Sequence, residues 1–421
     1  MRFLKRLGTP SVASAGWRQA LVAMLYGYQG IVAGFALTAL PNHAAALGAQ
    51  PAELGAYAAA IGLPWILQPL WGPLVDRFGG MRMGRRRFWV LTAFAGSLLA
   101  QSGLLWVEDA DPGSLAIIAA IFALHSLCAA LMDTATDAMI IDHTPVGELG
   151  AATACTRAGL VCGLAIGTVL FAWVLPHVGM AQAAMLLLGL GVLAAIMPLL
   201  VLERRDDAYL SLAHDPQPGQ AGLIVLLSEL AQHIIRPAHV ALLLFCLLQD
   251  FCGAVFRLPL GVYLIQQAGW TAASLSTAQG AIGLATGTLG AWLVGRWTDR
   301  VGPATALVRL LTVSAAAHLV AGIALGLGAN WAGPLALSIS SITSALCFVA
   351  LAPAVMRASS GAVAASRFAL YMAALNLGDV LGAGLAGYTA MLGVAYLAIA
   401  VSAGYGLLAL SSRPMVRRFQ R

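Results

Sequence analysis

The feature that most constrains this chain is the recurrence of apolar runs of about 20 residues from one end to the other. A helix needs about that length to cross the hydrocarbon core of a bilayer. About twelve such runs can be counted, near residues 18–40, 54–75, 88–106, 114–141, 151–175, 180–202, 238–265, 272–294, 304–327, 331–355, 363–390 and 392–411. The chain is 60% hydrophobic and only 10% charged, with a mean hydropathy of +0.85. An ordinary soluble domain is about 25% charged, so this chain cannot cover a water-facing surface. The expected fold is an all-α membrane protein.

The formal charge of +6 is distributed in a way that argues against a nucleic-acid partner. Lys and Arg fall in alternate loops: Arg2, Lys5, Arg6 and Arg18, then Arg77 to Arg87, Arg204, Arg205 and Arg236, Arg296, Arg300 and Arg309, Arg357, and Arg413, Arg417, Arg418 and Arg421. The intervening loops, near 41–53, 107–113, 176–180, 266–271, 328–331 and 391–393, hold none. The positive-inside rule puts the basic loops and both termini in the cytoplasm, which requires an even number of spans. No cleavable signal peptide is visible. The six cysteines show neither CxxC nor metal spacing and read as small buried hydrophobes.

The chain also repeats itself. Gly72-Pro73-Leu74-Val75-Asp76-Arg77-Phe78-Gly79, followed by Arg82, Arg85, Arg86 and Arg87, has a counterpart in Gly295-Arg296-Trp297-Thr298-Asp299-Arg300-Val301-Gly302. Each closes an apolar run. Weaker echoes pair Leu25 to Gly30 with Phe245 to Asp250, and Arg157 with Arg367. Two six-helix halves are therefore expected, 1–202 and 238–421, joined by a linker, 203–237. The linker should carry a short cytoplasmic surface helix over Leu223 to Ile235. Such repeated halves, with the solute held between them near the midplane, are the plan of the major facilitator superfamily.

A closer resemblance lies in Gly62-Leu63-Pro64-Trp65-Ile66-Leu67-Gln68-Pro69-Leu70-Trp71-Gly72-Pro73-Leu74-Val75-Asp76-Arg77 and Gly84-Arg85-Arg86-Arg87-Phe88-Trp89. It continues in Asp133-Thr134-Ala135-Thr136-Asp137-Ala138 and Arg367-Phe368-Ala369-Leu370. These segments resemble the AmpG-type muropeptide permeases, the acetyl-CoA transporters and the RhtX/FptX siderophore importers. Met132 and Arg367 stand where that group usually has Gln. The compact length is nearer to the siderophore importers. The resemblance implies proton-symport import of a medium-sized polar or anionic solute, with Asp76, Arg77, Asp299 and Arg300 acting in gating.

Charged side chains inside a membrane are costly and usually functional. Asp133 and Asp137 sit one helical turn apart and share a face. Asp133 reads equally as proton carrier or helix lock, and Asp137 reads as a lock at the cytoplasmic gate. Arg157 is expected to pair with Asp133, Asp137 or Asp142. The glycines behind it, Gly159, Gly163 and Gly167, read as packing positions. In the second half, Asp250 is the leading proton site and Asp379 a further one. Arg257 precedes Pro259, and its guanidinium could grip an anionic group of the solute or pair internally with Asp250. Tyr26, Gln29 and Gln249 could line the cavity. His125 and His318 read as polar packing residues.

The expected partners are a small anionic solute, protons and the lipid bilayer of a bacterial inner membrane, with no cofactor and no metal, the chain acting as a monomer. An exporter working by proton antiport and a non-transporting scaffold or sensor are the alternatives. No P-loop or nucleophile motif supports an enzyme.

Overall fold

The computed structural model describes residues 9–78, 80–145, 149–213, 228, 232, 235–359 and 364–419, without the side chains of 76, 149–153, 364 and 365. The linker helix expected over Leu223 to Ile235 falls largely outside the described residues.

The first half has six helical segments. α1 is Ala15–Ala46, with a π-helical turn at Phe35–Ala39. α2 runs through Pro51–Gly62, a 3-10 stretch at Leu63–Leu67, and Gln68–Arg77. α3 is Arg87–Trp106, α4 Leu115–His143, α5 Leu149–Val178 and α6 Met180–Leu200. The second half has α7 Pro237–Gln266, then α8 in the pieces Ala272–Ala285, Thr286–Gly290 and Ala291–Val301. α9 is Pro303–Gly326, α10 Ala332–Ala358, α11 Ala364–Gly384 with a short continuation Ala386–Ala390, and α12 Val394–Arg417.

Among the described residues, ten of these segments are long and apolar enough to cross a membrane. The other two are α8 and α11. α8 is diluted by Gly, Ser and Thr, and α11 carries Arg367, Asn376 and Asp379. Hydrocarbon offers backbone groups no hydrogen-bond partner, which is why the spanning segments are helices. Several helices run further than the apolar runs alone suggest. α1 continues to Ala46, six residues past the run ending at 40, because Pro41, Asn42 and His43 are buried by neighbouring helices.

Among the described residues, two large apolar cores form, one for each half, beside a small cluster of Val22, Tyr26 and Ile140. One gathers residues from α1 to α6, such as Leu25, Phe35, Phe122 and Phe171, together with Val262 of α7. The other gathers residues from α7 to α12, such as Phe245, Phe256, Leu311 and Tyr405. The tightest seams within the halves depend on glycine. A Cβ on Gly163 of α5 would lie 2.0 Å from the Gly27 carbonyl oxygen of α1, and one on Gly378 of α11 would lie 2.1 Å from that of Leu247 in α7. The packing role expected for the α5 glycines holds.

The basic loop after α2 does more than orient the chain. Arg86 and Arg87 are buried. Glu203 accepts hydrogen bonds from the backbone N–H groups of Arg86 (2.7 Å) and Arg87 (2.9 Å), capping the start of α3. Arg87 in turn donates to the carbonyls of Pro198 (2.9 Å) and Leu199 (2.7 Å) at the end of α6. Each charge thus serves the helix end whose dipole it complements. His143 joins Glu203 at 3.3 Å, and Arg86 pairs with Asp142 at 2.9 Å. That pairing occupies one of the acids expected to hold Arg157.

Candidate functional site

The charged groups inside the bundle fall into two clusters, one per half. In the first, the Tyr26 hydroxyl of α1 donates to Asp137 Oδ1 at 2.6 Å, and Gln68 Nε2 of α2 donates to Asp133 Oδ2 at 2.8 Å. Gln29 is another hydrogen-bonding neighbour of Asp133, and Arg157 lies within electrostatic reach of both acids. The Arg157 guanidinium, however, sits 5.4 Å from the Phe348 ring centroid of α10, on the other half. The expectation of a close ion pair with one of these acids is thus corrected: a cation–π contact across the halves holds the guanidinium.

In the second cluster, Arg257 Nη2 of α7 meets Asp379 Oδ1 of α11 at 2.6 Å. The sequence reading offered Asp250 as the internal partner of Arg257, and this too is corrected. Asp379 reaches the guanidinium because α7 and α11 touch backbone to backbone at Gly378. Asp250 stays an electrostatic neighbour of the pair, accepting from Ser344 Oγ at 3.3 Å and, more distantly, from Gln249 Nε2 at 3.5 Å.

The side chains of Arg257 and Asp379 keep 49% and 46% of their surface exposed. That surface lies between the halves. Leu258, next to Arg257, packs against the first-half core, and Val380, next to Asp379, faces Gly62 of α2. Of the remaining expected lining residues, Gln29 is partly exposed, whereas Tyr26 and Gln249 are buried behind the wall. Pro259, one turn past Val255, removes the N–H that would bond the Val255 carbonyl. Thr389 Oγ1 donates to that carbonyl at 3.3 Å, so the broken turn beside Arg257 is repaired from α11's continuation.

The two halves are joined at their charge-poor ends. Asn42 Nδ2 of α1 donates to Ser276 Oγ (2.8 Å) and Gln279 Oε1 (2.7 Å) of α8. Gln266 Nε2 of α7 donates to the carbonyls of Ala45 (2.9 Å) and Ala49 (3.1 Å). At the basic end, Arg77, Asp299 and Arg300 are exposed, and no ion pair involves them among the described residues. The side chain of Asp76 lies outside the described set. His125, bonded to Ser97 at 2.8 Å, and His318, bonded to the Ser314 carbonyl at 2.8 Å, are buried packing residues, as expected.

The sequence reading missed Gln68, Asn42, Ser276, Gln279, Gln266 and Ser344. Gln68 lay within the family-like segment, and Asn42 was a lone amide among apolar residues. The others are neutral side chains with no sequence mark.

Repeated halves of membrane helices with charged groups between them are a plan that many transporter folds share. The sequence profile of the Major Facilitator Superfamily matches residues 20–383, and the chain belongs to that family. It is similar to the anhydromuropeptide permeases of Escherichia coli strain K12 and Escherichia coli O157:H7, at 32% identity in each case. Each alignment covers 114 residues, 27% of this chain and 23% of the permease. The chain therefore spans about a quarter of the length of the curated relatives it matches.

Among solved structures, a bacterial homologue of the human lysosomal transporter Spinster, inward-facing and unoccupied, superposes with a TM-score of 0.69 at 13% identity, over 97% of this chain and 98% of that one. A point mutant of the nucleoside transporter NupG gives 0.65 at 14% identity, over 94% of this chain and 99% of that one. A POT family transporter in complex with a thioalcohol-conjugated peptide gives 0.68 at 12% identity, over 96% of each chain. Identities this low speak for the fold alone. The chain is a multi-pass membrane protein of the Major Facilitator Superfamily.

Proposed function

We propose that this transporter imports an anionic solute of medium size across a bacterial inner membrane by proton symport, with its basic face and both termini in the cytoplasm. The observation that carries the reading is the half-exposed Arg257–Asp379 pair between the halves, with Asp250 beside it. A guanidinium at that depth can grip a carboxylate or phosphate bidentately. The acids around it, with Asp133 in the other half, are the candidate proton carriers. The two halves act as bodies that rock about the solute. The bonds of Asn42 and Gln266 support a state closed to the outside, and the exposed Asp299 and Arg300 support one open to the cytoplasm. The segment similar to the anhydromuropeptide permeases supports a muropeptide as the first solute to test, with siderophores second.

The test is uptake into proteoliposomes holding the full chain, with an inward pH gradient imposed. Labelled anhydromuropeptide should accumulate, accumulation should collapse with a protonophore, and masking the solute's acid groups should abolish it. Accumulation driven by the opposite gradient would make the protein an exporter. Equal uptake of the masked solute would remove the anionic requirement.

A further inference from the structure

We propose that Asp379 is a built-in stand-in for the solute's anionic group, and that its displacement from Arg257 is the step that ties proton uptake to solute binding. The inference rests on the reading of the chain as a transporter of an anionic solute.

The geometry has three parts. The pair is direct, a single charge-assisted hydrogen bond of 2.6 Å between Arg257 Nη2 and Asp379 Oδ1. It is reachable, since both side chains keep nearly half of their surface open between the halves. And it is one-sided: a guanidinium has five N–H donors in a planar fork, of which Asp379 takes one. An incoming carboxylate or phosphate can therefore approach the open donors before Asp379 leaves.

The groups that face the pair are few. Asp250 lies on α7 itself, held by Ser344 of α10 and Gln249. Tyr405 of α12 is the remaining titratable neighbour of Arg257. On the first-half side, α2 offers Gly62 to Val380 and Gly55 to Ala383, which bring no charge. Among the described residues, the other cations on α2 and α10, which pack against α11, are Arg77 and Arg357, each in the last turn of its helix.

The step balances. The N–H···O bond between Arg257 and Asp379 breaks, and Arg257 bonds the solute's anionic group. Asp379 takes one proton from water on the outer side, because it loses the opposite charge of Arg257 and is left beside two like charges, Asp250 and the solute's anionic group. Before the step the pair carries one positive and one negative charge. Afterwards, guanidinium, solute anion and neutral acid carry the same. After the halves rock, solute and proton leave together as Asp379 returns to Arg257. One proton thus accompanies each anionic group.

The experiment uses the full chain in lipid nanodiscs with sulfate as the probe, an anion that keeps its charge between about pH 6 and pH 8 and suits an Arg fork. Binding is read as a shift in melting temperature, and proton uptake with an indicator dye in weak buffer. The wild type should bind sulfate up to about tenfold more tightly per pH unit lowered, as linkage of one proton requires, and should take up a proton on binding. Asp379→Asn should bind sulfate at all these pH values without proton uptake, and Asp379→Glu should keep the pH dependence. Adding Arg257→Gln to Asp379→Asn should abolish binding. The same pH dependence in Asp379→Asn as in the wild type would overturn the proposal. So would sulfate binding confined to Asp379→Asn at every pH, or binding that survives loss of Arg257. Failure of muropeptide uptake would instead remove the solute reading and leave this exchange to stand or fall on the sulfate data.

Discussion

Asn42 Nδ2 donates to Gln279 Oε1 at 2.7 Å, and so ties the end of α1 in one half to α8 in the other. The same amide also reaches Ser276 Oγ at 2.8 Å. A buried amide can lose both bonds only by separating the halves or by being removed.

Asn42→Ala should therefore loosen the charge-poor closure. Two neutral hydrogen bonds at about 0.5–1.5 kcal/mol each shift the equilibrium between closed and open outer ends by roughly 5–150-fold. Spin labels at the exposed residues Glu53 and Tyr388, in a background without the native cysteines, should show a longer-distance population growing at that end. An unchanged distance distribution would mean that these bonds follow closure and do not favour it.

Gly163→Ala should destabilise the first half. Its new methyl would have to occupy a point 2.0 Å from the Gly27 carbonyl oxygen, a backbone atom that cannot swing away. Overpacking of this kind costs about 1–3 kcal/mol, occasionally more. Gly189→Ala on α6 is the control, since a Cβ there meets nothing within 4 Å. Melting in detergent should separate the two variants clearly. Equal melting temperatures would mean that α1 and α5 part without cost.

Glu203→Gln should lower stability at neutral pH and flatten its acid limb. Burial pushes the Glu203 carboxyl up, but the bond with His143 and the backbone N–H groups of Arg87 and Arg86 more than offset this, leaving it below its ordinary value of 4.5. A carboxyl depressed in the folded state stabilises above its unfolded value, and that stability is lost as pH falls through the folded value. The wild type should thus lead the variant by about 1–3 kcal/mol at pH 7 and lose that lead below roughly pH 4.5. A constant gap between the two melting curves from pH 7 to pH 4 would remove Glu203 from the acid response.

The all-helical membrane fold, the two halves and the family were legible in the chain itself. Each depends on composition, on apolar run length or on a repeated local segment, and bilayer thickness converts run length directly into a span. The candidate charges were legible for a similar reason, because Asp133, Asp137, Asp250, Arg257 and Asp379 stand out in apolar surroundings. Which of them touch was not. Asp250 precedes Arg257 by two turns on one helix and looked like its partner. Asp379 holds the guanidinium instead, because Gly378 lets α11 press against the backbone of α7. Arg157 likewise reaches Phe348 across the halves, while Asp142 is taken by Arg86. Asn42 and Gln266 carry no charge and no motif, and Gln68 carries no charge, so they acquired meaning only when another helix supplied the opposite end of each hydrogen bond. A sequence marks which groups are costly to bury, but helix packing alone decides which partner offsets the cost, since residues far apart in the chain meet only there.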